Sequence, residues 1–203
     1  MMKSFSPVNS GEHAPLSLLS AELKKVKLNK KGGIDVLVEA SVMNPDSEDP
    51  YRILMPIESE IPVHPDLHSV LRRIAAHLAL IDERVEYSSD NDALRLQMDE
   101  GVKAASWPLN QYHVRGVILK GVEGEDSEGV QVNGIKTLKT GKPINILTPF
   151  VSLTESKTDY AHMVSLANAV ADLRLEVRNY FGGKVLPPSQ LTMGFDDAEE
   201  IDD

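Results

Sequence analysis

Residues that could do chemistry are few and widely spaced in this chain. Histidines stand at positions 13, 64, 68, 77, 113 and 162, and only His64 and His68 have the four-residue spacing that puts two imidazoles on one helical face. No HExxH accompanies them, and Pro65 pushes His64 outside the helix that follows. The pair reads as surface or capping histidines, and no metal is expected. The absence of cysteine removes thiolate ligands, thiol nucleophiles and a disulfide framework. A phosphate-cradling loop would join a strand to a helix through glycines with lysine at its end, whereas "GIKTLKTGKPIN" runs through Lys-Pro into another strand. There is no GxSxG elbow, and Glu58 with Glu60, or Glu123 with Glu125, have the setting of solvated strand edges and turns. A non-enzymatic protein without cofactor is expected.

The more informative constellation is cationic. Lys24, Lys25, Lys27, Lys30 and Lys31 crowd one short stretch, and Arg115, Lys120, Lys136, Lys139 and Lys142 punctuate a later one. Single-stranded nucleic acid is held on strands by cations that follow phosphates and by aromatic rings on which bases stack. Among the aromatics, Tyr51, Trp107, Tyr112 and Phe150 fall near expected strands. The candidate contacts are Lys25, Lys27, Arg115, Lys136, Lys139 and Lys142 for phosphates, with Trp107 or Tyr112 for a base.

These residues must be positioned by local structure. "LKKVKLNKKGGIDVLVEASV" alternates apolar and charged positions around Gly32-Gly33, the pattern of a hairpin, and "YRILMPIESE" supplies a third strand. From Pro65, the residues Leu67, Val70, Leu71, Ile74, Leu78 and Ile81 recur at helical spacing. "ALRLQMDE" alternates like a short strand. Residues 112–153 are rich in Val, Ile and Leu with interspersed Gly, which suits a bent antiparallel meander. A second helix over 159–181 is expected to start at a Thr158 or Asp159 cap and end at Gly182-Gly183.

Composition places these elements in a folded body: 41% of residues are hydrophobic and 26% charged. No window approaches the ~18 apolar residues of a membrane span and no secretory signal is visible, so a cytoplasmic protein without membrane contact is expected. Of the formal charge of −10, six units lie in the terminal "FDDAEEIDD", which leaves about −4 for the rest.

That acidic run, carried behind a β body with scattered cations, resembles the layout of bacteriophage and bacterial single-stranded-DNA-binding proteins. The resemblance implies an OB-like body and a tail, Phe195, Asp196, Asp197, Glu199, Glu200, Asp202 and Asp203, that competes with DNA and recruits protein partners. Those tails often finish on an aromatic or apolar residue; here the run finishes on Asp203 and Phe195 stands at its start.

The expected protein is therefore α+β and mainly antiparallel, with a strongly curled, OB-like or small-barrel sheet and two principal amphipathic helices. Residues 1–20 would form a flexible arm, 21–193 one domain and 194–203 a disordered acidic tail. The expected function is binding of single-stranded DNA. The alternative is an assembly protein that associates with itself through the 159–181 helix and docks through its tail.

Overall fold

A computed structural model describes residues 21–43, 50–82, 92–101 and 109–185. The expected arm and acidic tail, and Trp107, lie outside the described residues. Among the described residues seven strands form one antiparallel sheet: β1 (Glu22–Leu28), β2 (Ile34–Met43), β3 (Pro50–Ser59), β4 (Tyr112–Lys120), β5 (Gly129–Thr137), β6 (Pro143–Leu147) and the two-residue β7 (Val151–Ser152). Their spatial order is β3-β2-β1-β4-β5-β6, with β7 also on β5. The α+β class and antiparallel pairing agree with expectation. Closure into a small barrel does not: the ladder is an open path, and no pairing among the described residues joins its edges β3 and β6.

The order is symmetric about its centre. Three meandering strands followed by a helix occur twice, and the first strands of the two units, β1 and β4, pair antiparallel through Lys25↔Ile118, Val26↔Val117 and Lys27↔Gly116. Alternation sorts each strand into two faces. Val26, Val36, Val38, Val117, Val130 and Val132 bury one face, while Lys25, Lys27 and Arg115 lie on the other.

Among the described residues three α-helices pack on the buried side: α1 (Pro65–Ile81), α2 (Asp92–Glu100) and α3 (Met163–Phe181). The expected apolar stripe of α1 is buried from Leu67 to Leu78. His64 caps this helix, its Nδ1 accepting the Asp66 N–H at 3.3 Å. The helix lies directly on β5, because a Cβ at Gly134 would stand 2.3 Å from Leu78 Cδ2.

The segment "ALRLQMDE", expected as a strand, is helix α2. Leu94, Leu96 and Met98 imitate strand alternation, but Leu94, Gln97 and Met98 are the residues that bury, at helical spacing. Ala, Leu, Arg, Gln, Met and Glu are also strong helix formers. The end of α2 is tied down by α1: Arg73 Nε donates to Met98 O, Ser69 Oγ to Glu100 O and Arg72 Nε to Gly101 O. These donors satisfy carbonyls that a helix terminus leaves without intrahelical partners.

Helix α3 starts later than expected. Its N-cap position is His162, without a side-chain capping bond, while Thr158 Oγ1 accepts the Tyr160 N–H in the turn before it. The expected stop at Gly182 holds. Leu166, Ala169, Val170 and Leu173 are fully buried and Val164 and Leu175 face outward, so the helix spends its broad apolar face within the chain, largely against α1. Arg174, only 5% exposed, anchors α3 to the β4–β5 turn through Glu128 at 2.6 Å.

Beneath the α1–α3 contact lies a polar knot. The His77 ring is fully buried, with Nδ1 2.8 Å from the Tyr160 hydroxyl and Nε2 3.3 Å from Ser165 Oγ. Burial, with His162 and Arg73 nearby, pushes the imidazole down to about 3. Burial likewise pushes the Tyr160 phenol up.

Packing at this contact supports a direct expectation. Ala169→Asp inserts a carboxylate where the side chain has no solvent, at a cost of several kcal/mol, comparable with the whole stability of a small domain. The variant should unfold at much lower urea than the parent; an unchanged midpoint would show that α3 is not seated in this way.

Candidate nucleic-acid interface

The sheet face opposite the helices is uncovered among the described residues. Its centre is a depression of about 510 Å³ whose cationic lining is Lys25, Lys27 and Arg115, with Asn133 and Asn145 beside them. Two strands supply these cations. Lys25 and Lys27 follow the two-residue period of β1, and β4 brings Arg115 alongside through the central pairing.

Arg115 lies on this face by alternation from the buried Tyr112 and Val114. The β4–β5 register passes from Val114↔Gly134 to Gly116↔Asn133, so Arg115 is the extra residue of a bulge, after which Val117 returns to the buried side. Strand β1 has the corresponding irregularity, with Lys24 omitted between Leu23↔Val38 and Lys25↔Leu37. Each bulged cation lies two residues before the central valine of its strand, so Lys24 and Arg115 occupy equivalent places in the two units.

Their surroundings differ. Lys24 Nζ is 2.9 Å from Glu22 and 3.0 Å from Glu39, and donates to Gly121 O. Partial burial alone would lower its ammonium, but the hydrogen bonds to the two glutamates hold it above the usual lysine value. Arg115 has instead the neutral Asn145 Oδ1 at 3.5 Å. Lys27 is 4.0 Å from Asp35, a loose contact between exposed groups, and Lys25 has no side-chain partner among the described residues. Among the described residues no carboxylate lines the depression. Of the two equivalent sites, one is neutralised and the other keeps its charge facing solvent.

An aromatic ring stands on the same face. Gly129 pairs with the exposed Lys120, and a Cβ at Gly129 would lie 2.1 Å from Phe150 Cζ, so the ring rests against bare backbone. Lys120 Nζ sits 5.6 Å from its centroid, and the ring remains 44% exposed. Phe150 was among the aromatics near expected strands; its position over Gly129 is a signal only once the β4–β5 register is known.

The other sequence candidates fall elsewhere. Tyr112 is 2% exposed on the helix side of the sheet, within 3.2 Å of Asp82, so its ring is not presented for stacking. Lys136 shares that side, its Nζ donating to the Tyr112 hydroxyl at 2.8 Å and lying 4.8 Å from the ring centroid. Lys139 and Lys142 stand on the β5–β6 turn, which closes through Leu138 and Gly141, and neither lines the depression. Among the described residues no helix is long and apolar enough to cross a membrane. The chain matches no protein-family model, no curated protein and no solved structure.

Proposed function

We propose that this protein binds single-stranded nucleic acid, DNA in the first instance, across the open face of its sheet. The observation that carries the reading is the convergence of Lys25, Lys27 and Arg115 on one depression lined by no carboxylate among the described residues, where the equivalent cation of the other unit is cancelled by two glutamates. Phosphates would track the three cations, Asn133 and Asn145 would donate to phosphate or base oxygens, and Phe150 would stack a base beside Lys120. An OB-like curl would wrap this face around a strand, but the reading needs only an open platform.

The acidic run from Asp196 to Asp203 has the chemistry of a competitor for the same depression. Val185 bridges Val63, whose N–H donates to Gly32 O in the β1–β2 turn, which places Val185 at the end of the sheet to which Lys27 belongs. Ten residues separate Val185 from Asp196, enough to span ~33 Å when extended.

A salt titration with a labelled single-stranded oligonucleotide tests both parts. Affinity should fall linearly on a log–log plot, with a slope of ~0.7 per phosphate neutralised. Truncation after Gly194 should tighten binding, most at low salt, because the competitor acts through charge that salt screens. Absence of binding by both forms at low salt would reject the nucleic-acid reading; equal affinities across salt would reject competition by the tail. In the assembly alternative, the outward Val164 and Leu175 of α3 and the tail would instead contact protein, and the chain's mass in solution would exceed that of a monomer.

A further inference from the structure

The cationic depression has a counterpart in the first unit. This second trough lies on the same open face, has a volume of about 430 Å³ and shares Lys25 and Ile118 with its neighbour. The central pair Val26↔Val117 makes the two depressions equivalent position by position. Leu37 is opposite Lys25 as Asn133 is opposite Gly116. Leu54 stands two residues before Pro56, the partner of Leu37, as Asn145 stands two before Leu147, the partner of Asn133. Lys24 takes the place of Arg115.

The equivalent positions have opposite chemistry. The depression around Arg115 is lined by two amides; here two leucines take their places, and Ile118 adjoins them across Lys25. Leu54 is 57% exposed, and Leu37 and Ile118 are half-buried. Among the described residues Glu39 is the one carboxylate that lines the trough, and it is held between Lys24 at 3.0 Å and Arg52 at 3.7 Å. The floor is therefore apolar, and the rim, with Lys25, Arg52 and Lys120, is positive. Lys120 also sits 5.6 Å from the Phe150 centroid, so the exposed ring adjoins this rim.

We propose that the trough over Leu37, Leu54 and Ile118 seats unpaired bases of the strand whose phosphates follow Lys25, Lys27 and Arg115. The inference rests on the nucleic-acid reading above and adds a division to it: one depression takes the backbone and its equivalent takes bases. An unpaired base has the complementary make-up, a flat apolar face to cover the leucines and a phosphate on either side to meet the cations. In a duplex the base faces are stacked on one another, so only a single strand offers one to this floor. A second copy of the chain fits the trough less well, because a two-fold contact between identical faces sets lysine against lysine.

Two ligands separate the parts: an oligothymidylate of about twelve nucleotides, within the range that one binding face covers, and a strand of equal length built of abasic tetrahydrofuran units, which keeps every phosphate and offers no base. The parent should bind the oligothymidylate about tenfold or more tighter, a factor typical of one seated base. Leu37→Thr combined with Leu54→Ser should weaken the oligothymidylate by about the same factor and leave both the abasic strand and the salt slope unchanged, since no phosphate contact is lost. Retained binding of the abasic strand also shows that the variant is folded. Leu54→Ser alone, at an exposed position, should act in the same direction by a smaller factor, whereas replacing Lys25, Lys27 and Arg115 should weaken both strands. Equal binding of the two strands by the parent, or a double variant that binds oligothymidylate like the parent, would overturn the trough assignment and leave the phosphate contacts standing. A double variant that loses both strands at an unchanged urea midpoint would also overturn it, as would a fall in the protein's mass in solution, which would give the trough to a second copy. Binding of neither strand by the parent would reject the nucleic-acid reading and this inference with it.

Discussion

Replacing Lys25, Lys27 and Arg115 together by Gln should cost roughly two to three orders of magnitude in affinity for single-stranded DNA at 50 mM salt. Each neutralised phosphate contributes ~0.7 to the slope of log affinity against log salt, so three lost contacts lower the slope by about 2. Counterion release loses its driving force as salt approaches 1 M, and there the parent and the variant should converge. That convergence separates lost phosphate contacts from structural damage, which would weaken binding at every salt concentration. Damage is not expected. Arg115 makes one long contact to Asn145 and Lys27 one loose contact to Asp35, both at the surface, and substitutions of this kind usually change stability by less than ~0.5 kcal/mol. Lys157→Gln, which removes a cation paired with Asp126 away from the depression, serves as the charge control and should leave affinity unchanged. A triple variant that binds like the parent would place the nucleic acid elsewhere or nowhere.

Part of this site could be read along the chain and part could not, and the division follows the range of the interactions. The hairpin around Gly32-Gly33 and helix α1 depend on neighbours within a few residues, so alternation and helical spacing reveal them. That Lys25 and Lys27 share a face follows from the same period of two. The arrival of Arg115 beside them depends on the β1–β4 pairing, which joins segments about ninety residues apart.

Lys136 is a different case. It has the parity of Val130 and Val132, which are apolar and buried, so its position on the helix side was available from alternation along β5 alone. Tyr112, its partner in register, follows it to that side. Helix α2 is obscured because Leu94, Leu96 and Met98 read as strand alternation while Leu94 and Met98 also keep helical spacing; helix propensity and tertiary contact through Arg72, Arg73 and Ser69 both favour the helix.

The second large expected effect lies in the His77 knot. The imidazole is neutral in the fold and titrates about 3, whereas a histidine in an unfolded chain titrates near 6.5. A depressed folded value means that the unfolded chain takes up the proton first as pH falls. The stabilisation is therefore fully present above pH 6.5, declines at ~1.4 kcal/mol per pH unit below it, and is exhausted near pH 3. Across that window the loss is on the order of 5 kcal/mol, a large share of the stability of an ordinary domain. Carboxylates titrate in the same interval: lowering pH also removes the charge with which Asp66 holds Lys184, a contact that keeps the Asp66 carboxyl below its usual value. The informative quantity is thus the difference between the parent and His77→Gln, which can still bond the Tyr160 and Ser165 hydroxyls but takes up no proton. Urea unfolding from pH 7.5 to 4 should show the parent losing stability faster than the variant below pH 6.5, with the two running parallel above it. Curves that stay parallel throughout would mean that His77 exchanges its proton freely in the fold, and that the contact between α1 and α3 opens to water.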